Sequence, residues 1–274
     1  MPALDNNFIP KLAETLQKNN RLERLIKQFE DEYNLLPCIG VEIEFYLSKD
    51  IKHIEFQNML GMVVKQEKGD HQFEIDLPPS TNLLKYIDQI NAARNNIIIT
   101  AQKLGGIANL QAKPFIDDYG SSMHFHINFI GSHFNKEIVI LAAQSLCHYM
   151  LDTFLVFLTN DKDYLRLDKK FMAPTHVSFG GNNRTVSLRI PDLLPHRLEH
   201  RLSSPLTDPY IAIFTILKSI LFGLQTPGNI PNIPRIYGNA YDPEYNLTPL
   251  PGSREEAWKV FRPEFYDYTI ILQQ

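Results

Sequence analysis

Acids and histidines recur along this chain at strand spacing. In CIGVEIEFYL (38–47), Glu42 and Glu44 are two residues apart. On a strand they leave one face, while Val41, Ile43 and Phe45 leave the other. Two like charges held this close repel, and need either a cation or open water. A solvated strand face answers that need as well as a metal ion does. In SMHFHINFI (122–130), His124 and His126 share a face in the same way. Such a pair serves equally as core histidines or as metal ligands. Glu74 alternates with Phe73 and Ile75 in HQFEIDL (71–77), and Glu67 lies just upstream across a polar turn. Glu199 stands between Arg197 and Arg201, and is expected on the face opposite theirs unless that strand is bulged or steeply twisted. Glu42, Glu44, Glu67, Glu74, His124 and Glu199 together make an oxygen-rich donor set. That chemistry suits Mg²⁺ or Mn²⁺ better than zinc. It suffices for two ions with about three protein ligands each.

Arginines cluster in the second half of the sequence. Arg184 and Arg189 flank NNRTVSLRIP (182–191), Arg197 and Arg201 follow, and Arg166 precedes them in DYLRL. Guanidinium forks match phosphate and carboxylate oxygens. Metals beside several arginines are what phosphoryl transfer requires, because that chemistry depends on positioning and charge neutralisation. Taken singly, each arginine reads as well as a surface ion pair.

The elements that must position these residues follow from periodicity. Residues 8–34 read as two helices broken at Asn19–Asn20. Strands are expected at 38–47 and at 71–77, the latter stopping at Pro78–Pro79. A helix follows over 81–104, ended by Gly105–Gly106, then strands near 107–114 and 122–130, and a long apolar helix over 136–159. Strands near 185–190 and 196–202 precede an apolar helix that Asp208–Pro209 opens. The segment 225–274 holds seven prolines, and in it Ser253 with Glu256 forms a capping-box pattern. Strands and helices mix without βαβ alternation, so the expected class is α+β with a largely antiparallel sheet. The 274 residues, 44% of them hydrophobic, suffice for a sizeable core. A net charge of −4 and no basic stripe argue against a nucleic-acid partner. The run 210–224 contains Lys218 and is too short for a membrane span. Two cysteines, Cys38 and Cys147, and no signal-peptide pattern fit a reducing cytoplasm.

In order along the chain, GVEIEFYL, QEKGDHQFEI, GSSMHFHINF, NNRTVSLRIP, RLEHR followed by DPYIA, and LPGSREEAW resemble successive motifs of the glutamine synthetases. The resemblance covers about 38–260. It implies a catalytic domain over 36–274, built on a curved, largely antiparallel sheet flanked by helices, behind an N-terminal helical segment, 1–35. It implies an ATP-dependent ligase that activates a carboxylate as an acyl phosphate and couples it to an amine. Carried over by position, Glu44, Glu67 and Glu74 would hold one metal, and Glu42, His124 and Glu199 the metal on the ATP phosphates. His126, Arg189 and Arg197 would contact nucleotide. Arg184 would lie by the transferred phosphoryl group, and Gly120, Arg166 and Arg201 by the acid. The sequence departs from the family in several places. Tyr119 replaces an asparagine that helps hold glutamate. Met172 stands where a flexible loop usually carries a glutamate that deprotonates ammonium. The stretch between Glu44 and Glu67 is short, and a short helical segment stands where the family has a separate N-terminal domain. The amine is therefore ammonia or something larger. A homo-oligomer is compatible with this reading, but the family's large double ring is not expected. Two other readings use the same residues: a catalytically idle nucleotide- and metal-binding relative with a regulatory role, and a metal-dependent hydrolase, which would act without ATP.

Overall fold

The computed structural model describes residues 7–132, 134–192 and 194–267. Helices α1 (Phe8–Lys18) and α2 (Arg21–Tyr33) open it. Ile9, Leu12 and Leu16 of the first and Leu22, Leu25 and Phe29 of the second are buried at helical spacing. Asn20 turns the chain between them with a left-handed φ of 49°, a conformation asparagine tolerates.

The strands are β1 (Leu36–Leu47), β2 (Val64–Gln66), β3 (Gln72–Ser80), β4 (Ala108–Asn109), β5 (Met123–Ile130), β6 (Phe179–Gly180), β7 (Leu188–Arg189) and β8 (Leu198–Ser203). They form one sheet in the order β2-β3-β1-β5-β8-β7-β6, with β4 paired to β1. Every pairing is antiparallel except β6 with β7. The remaining helices are α3 (His53–Leu60), α4 (Leu83–Lys103), α5 (Lys136–His148), α6 (Met150–Thr153), α7 (Pro209–Gln225) and α8 (Arg254–Val260).

One face of the sheet is apolar. Val41, Ile43, Phe45, Phe73, Ile75, Phe125 and Ile127 are buried there in one core with α1, α2, α4, α5 and α7. The chain centres on α7, which is buried nearly all round. Such a helix needs no polar face because other helices enclose it. Asp208 caps it, its Oδ1 accepting from Tyr210 N at 2.8 Å and Ile211 N at 3.2 Å, and Pro209 takes the first helical position. The α+β class and the largely antiparallel sheet agree with the sequence reading.

Several boundaries differ from the sequence reading, each for a local reason. Strand β3 runs through Pro78 and Pro79 rather than stopping before them. Its outer neighbour β2 pairs only as far as Ile75, so no ladder bond on that side is lost. The strand foreseen near 107–114 shrinks to β4, because Asn109 Oδ1 accepts from Gln111 N and turns the chain. The foreseen helix 136–159 breaks after His148, and its two parts bend by 65°. At the break the Thr153 hydroxyl bonds back to the Tyr149 carbonyl at 2.9 Å. The strand expected near 185–190 is reduced to β7, and β6 was not foreseen. Among the described residues no single helix is long and apolar enough to cross a membrane.

Candidate metal and nucleotide site

The polar face of the sheet carries a grid of charged side chains set by register. Glu44 lies opposite Glu74, and Glu42 opposite Asp76, across β1 and β3. On the other side of β1, Glu42 lies opposite His124. His126 then lies opposite Glu199, and Glu199 opposite Arg189. Two directly opposed carboxylate pairs are destabilising in a sheet unless a cation sits among them.

Hydrogen bonds fix the grid. Glu44 Oε2 accepts from Ser122 N at 2.7 Å and from Ser122 Oγ at 2.8 Å. Ser122 Oγ also meets His124 Nε2 at 2.7 Å, which leaves His124 Nδ1 turned between two carboxylates. Those are Glu42 Oε2 at 3.2 Å and Glu199 Oε1 at 3.6 Å. His126 Nε2 is 2.8 Å from Glu42 Oε1. Glu199 is fully buried, its Oε1 accepting from Arg201 Nη1 at 2.8 Å, with Arg189 Nε 2.5 Å from Oε2. Glu199 therefore faces Arg201, not away from it as the sequence suggests. Residues two apart on a strand share a face, so no bulge is needed to bring them together.

The carboxyls titrate in opposite directions. Burial alone would raise Glu42, but hydrogen bonds and charge from His124 and His126 hold it well below the usual range. Burial likewise opposes the ionised form of Glu199, and Arg201, His124 and Arg189 overcome it. Glu74 is pushed up to about 9, first by burial and then by Glu42, Glu44, Glu67 and Asp76. Glu67 is raised by burial and by Glu44, with Arg184 and His124 opposing. On the apolar side of the same strand as Glu199, His200 is buried against Phe157 and pushed down to about 3, so it stays neutral.

Ligand atoms of Glu42, His124 and Glu199 lie within 4.8 Å of one another, as do those of Glu44, Glu74 and His124, and of Glu42, Glu74 and Asp76. The donor set fits hard divalent cations: it is oxygen-rich, and Glu74 faces the carboxylates of Glu42, Glu44, Glu67 and Asp76. Glu67 lines the same cavity as Glu44 and His124 but belongs to none of these close groups. Asp76 and Ser122 were missed by the sequence reading. Each is two residues from a chosen ligand on the same strand or its lead-in, so the period-two rule could have found both.

Two clefts open beside this strip. One is lined by Glu44, Glu67, Gly120, Arg184, Arg201 and Met172, with Tyr119 and Arg166 also in its wall. The other is lined by Glu42, Asp76, His126, Asn128, Pro195 and Arg197. Arg166 does not offer its fork to the first cleft. Its Nη1 donates to Leu202 O at 3.0 Å and its Nη2 to Arg201 O at 3.2 Å, so it props β8. Burial lowers it to about 10, and it remains charged near neutrality. A Cβ on Gly120 would lie 2.9 Å from Arg166 Cβ and 3.0 Å from Ala112 O, so only glycine lets these segments approach so closely.

The family model described as "Glutamine synthetase, catalytic domain" matches residues 51–266, well over half of the chain. The chain belongs to the glutamine synthetase family. Strand β1, with Glu42 and Glu44, precedes the matched span and joins it through the register above. The chain is 30% identical over 198 residues to gamma-glutamylputrescine synthetase PuuA of Escherichia coli K12, covering 67% of this chain and 41% of that protein. It is 30% identical over 228 residues to glutamate–isopropylamine ligase of a Pseudomonas species, covering 74% and 47%. It is 26% identical to glutamine synthetase of Pyrococcus furiosus, covering 86% and 63%. The chain thus spans from about two fifths to under two thirds of the length of these relatives. Among solved structures, ligand-free GmaS superposes with a TM-score of 0.76 at 20% identity, covering 90% of this chain and 68% of that one. Plasmodium falciparum glutamine synthetase superposes at 0.73 and 13% identity, covering 92% and 72%. These structures support the glutamine synthetase-like fold.

Proposed function

We propose that this chain is the catalytic part of an ATP- and Mg²⁺- or Mn²⁺-dependent ligase that joins glutamate, or a related acid, to an amine through an acyl phosphate. The observation that carries this reading is the convergence of Glu42, Glu44, Glu74, His124 and Glu199 on one polar strip with a cleft on each side. In this reading Glu42, His124 and Glu199 hold one cation, and Glu44 and Glu74, with Glu67 nearby, hold the other. Bound there, the cations would supply the positive charge that offsets phosphate. ATP would enter the cleft of His126 and Arg197, with Arg189 contacting it from beside Glu199. The acid would enter the cleft of Gly120 and Arg201, with Arg184 near the transferred group.

The chain's residues serve this chemistry by position and charge. Ser122 locks Glu44 and His124, and Arg201 and Arg189 keep Glu199 ionised. Arg166 holds β8 so that Glu199 and Arg201 stay in register. A carboxylate oxygen of the acid attacks the terminal phosphorus, the bond to ADP breaks, and the amine then displaces phosphate and loses a proton. Near the acid cleft, Phe171, Met172, Ala173 and Pro174 form a largely apolar wall with Tyr119, whose ring lies 5.4 Å from that of Phe171. Lys68 Nζ lies 3.4 Å from Met172 Sδ, and Lys113 lies over the Phe171 ring. This wall favours an amine with an apolar body over bare ammonium or a diamine with a second positive charge. The same Met172 favours the second reading, a nucleotide- and metal-binding relative without turnover. ADP release with glutamate and a panel of amines tests the proposal. Turnover with an alkylamine is the expected result. Tight Mg·ATP binding without ADP release for any acid–amine pair would favour the idle relative.

A further inference from the structure

Lys65 borders the metal strip, and none of the roles above uses it. It lies on β2 directly opposite Glu74. Its ammonium is 3.5 Å from Glu74 Oε1 and also contacts Asp76 Oδ2. Among the described residues, no other lysine or arginine forms an ion pair with Glu74. Glu74 belongs to two of the cation-competent groups, one with Glu44 and His124 and one with Glu42 and Asp76. Its carboxylate is buried, whereas the Lys65 and Asp76 side chains are 49% and 46% exposed. The lysine therefore reaches the strip from its wet rim, on a flexible stem, and has two carboxylates to choose between.

We propose that Lys65 is a tethered counter-ion that competes with the bound metal cation for Glu74, and that Asp76 is the partner that draws it aside. The inference rests on the metal-holding part of the proposed function. A divalent cation and an ammonium repel at this range, so loading a cation at Glu74 requires Lys65 to give up that contact and keep Asp76. Two substitutions in one bridge should then act in opposite directions. Lys65→Met removes the competitor and tightens binding. Asp76→Asn leaves the ammonium on Glu74 and weakens binding.

The test is titration of Mn²⁺ alone into the native chain and into K65M, K65R, D76N and K65M/D76N, read by the electron paramagnetic resonance of free Mn²⁺ and by calorimetry. Because Lys65 is half exposed, the expected tightening in K65M is roughly fivefold. D76N should weaken binding by a similar factor, and K65R, which keeps the charge, should bind like the native chain. In the K65M background, adding D76N should change affinity less than about twofold, since its effect runs through the lysine. Unchanged or weaker binding in K65M, with the native chain binding normally, overturns this inference alone. A native chain that binds no Mn²⁺ at millimolar concentration overturns the metal reading as well.

Discussion

Glu74 is the residue whose charge state the metal-free protein should reveal most clearly. Its carboxyl is pushed from an ordinary 4.5 up to about 9 by burial and by its acidic neighbours. Between these values the folded chain keeps a proton that the unfolded chain loses. The folded state binds more protons, so stability falls as pH rises through this window. Glu74→Gln mimics the protonated form and removes this dependence. The stability gap in favour of E74Q should therefore widen by up to about 1.4 kcal/mol per pH unit. Partial compensation by Lys65 reduces that slope, so a gain of about 2 kcal/mol is expected between pH 6 and pH 8. At roughly 2–4 °C per kcal/mol for a chain of this size, the melting temperatures should separate by about 4–8 °C over that interval. The assay is thermal unfolding in chelator at pH 6, 7 and 8 for both proteins. Parallel profiles, or a gap that narrows as pH rises, would mean that Glu74 holds no extra proton in the folded chain. Added Mn²⁺ should reverse the order at pH 8, because E74Q lacks a ligand.

Two further predictions concern the acid cleft. With Met172→Glu placed in a Lys68→Met background, so that the new carboxylate is not captured by Lys68, kcat/KM for ammonium relative to an alkylamine should rise about tenfold; an unchanged ratio would remove Met172 from the amine site. Gly120→Ala should cost about 1–3 kcal/mol in denaturant unfolding, because its methyl meets Arg166 and the Ala112 carbonyl. It should also raise KM for the acid, and wild-type stability in this variant would contradict the close packing.

Much of the site was legible because strand periodicity is local. The alternation in GVEIEFYL put Glu42 and Glu44 on one face, and SMHFHINFI did the same for His124 and His126. Register is not local: nothing within β1 says that Glu44 meets Glu74 or that Glu42 meets Asp76. Asp76 follows Glu74 by two residues and so shares its face, but only the register shows that it meets Glu42. The resemblance places Arg166 by the acid, but its Nη1 and Nη2 bond to the backbone of β8, and which acceptors surround a buried guanidinium is set by tertiary packing that the local sequence does not carry. The break after His148 was hidden because the apolar pattern continues across it, and α6 and the following turn are as buried as α5. Likewise Pro78 and Pro79 stop a strand only where their missing N–H groups would have been used.

Diffraction from crystals holding Mn²⁺ and ADP, measured at the manganese absorption edge, would locate the cations on the polar strip directly. Two anomalous peaks are expected, one among Glu42, His124 and Glu199 and the other against Glu44 and Glu74, with the ADP phosphates on the His126 side. A single peak away from the strip, or no peak where ADP is bound, would contradict that placement.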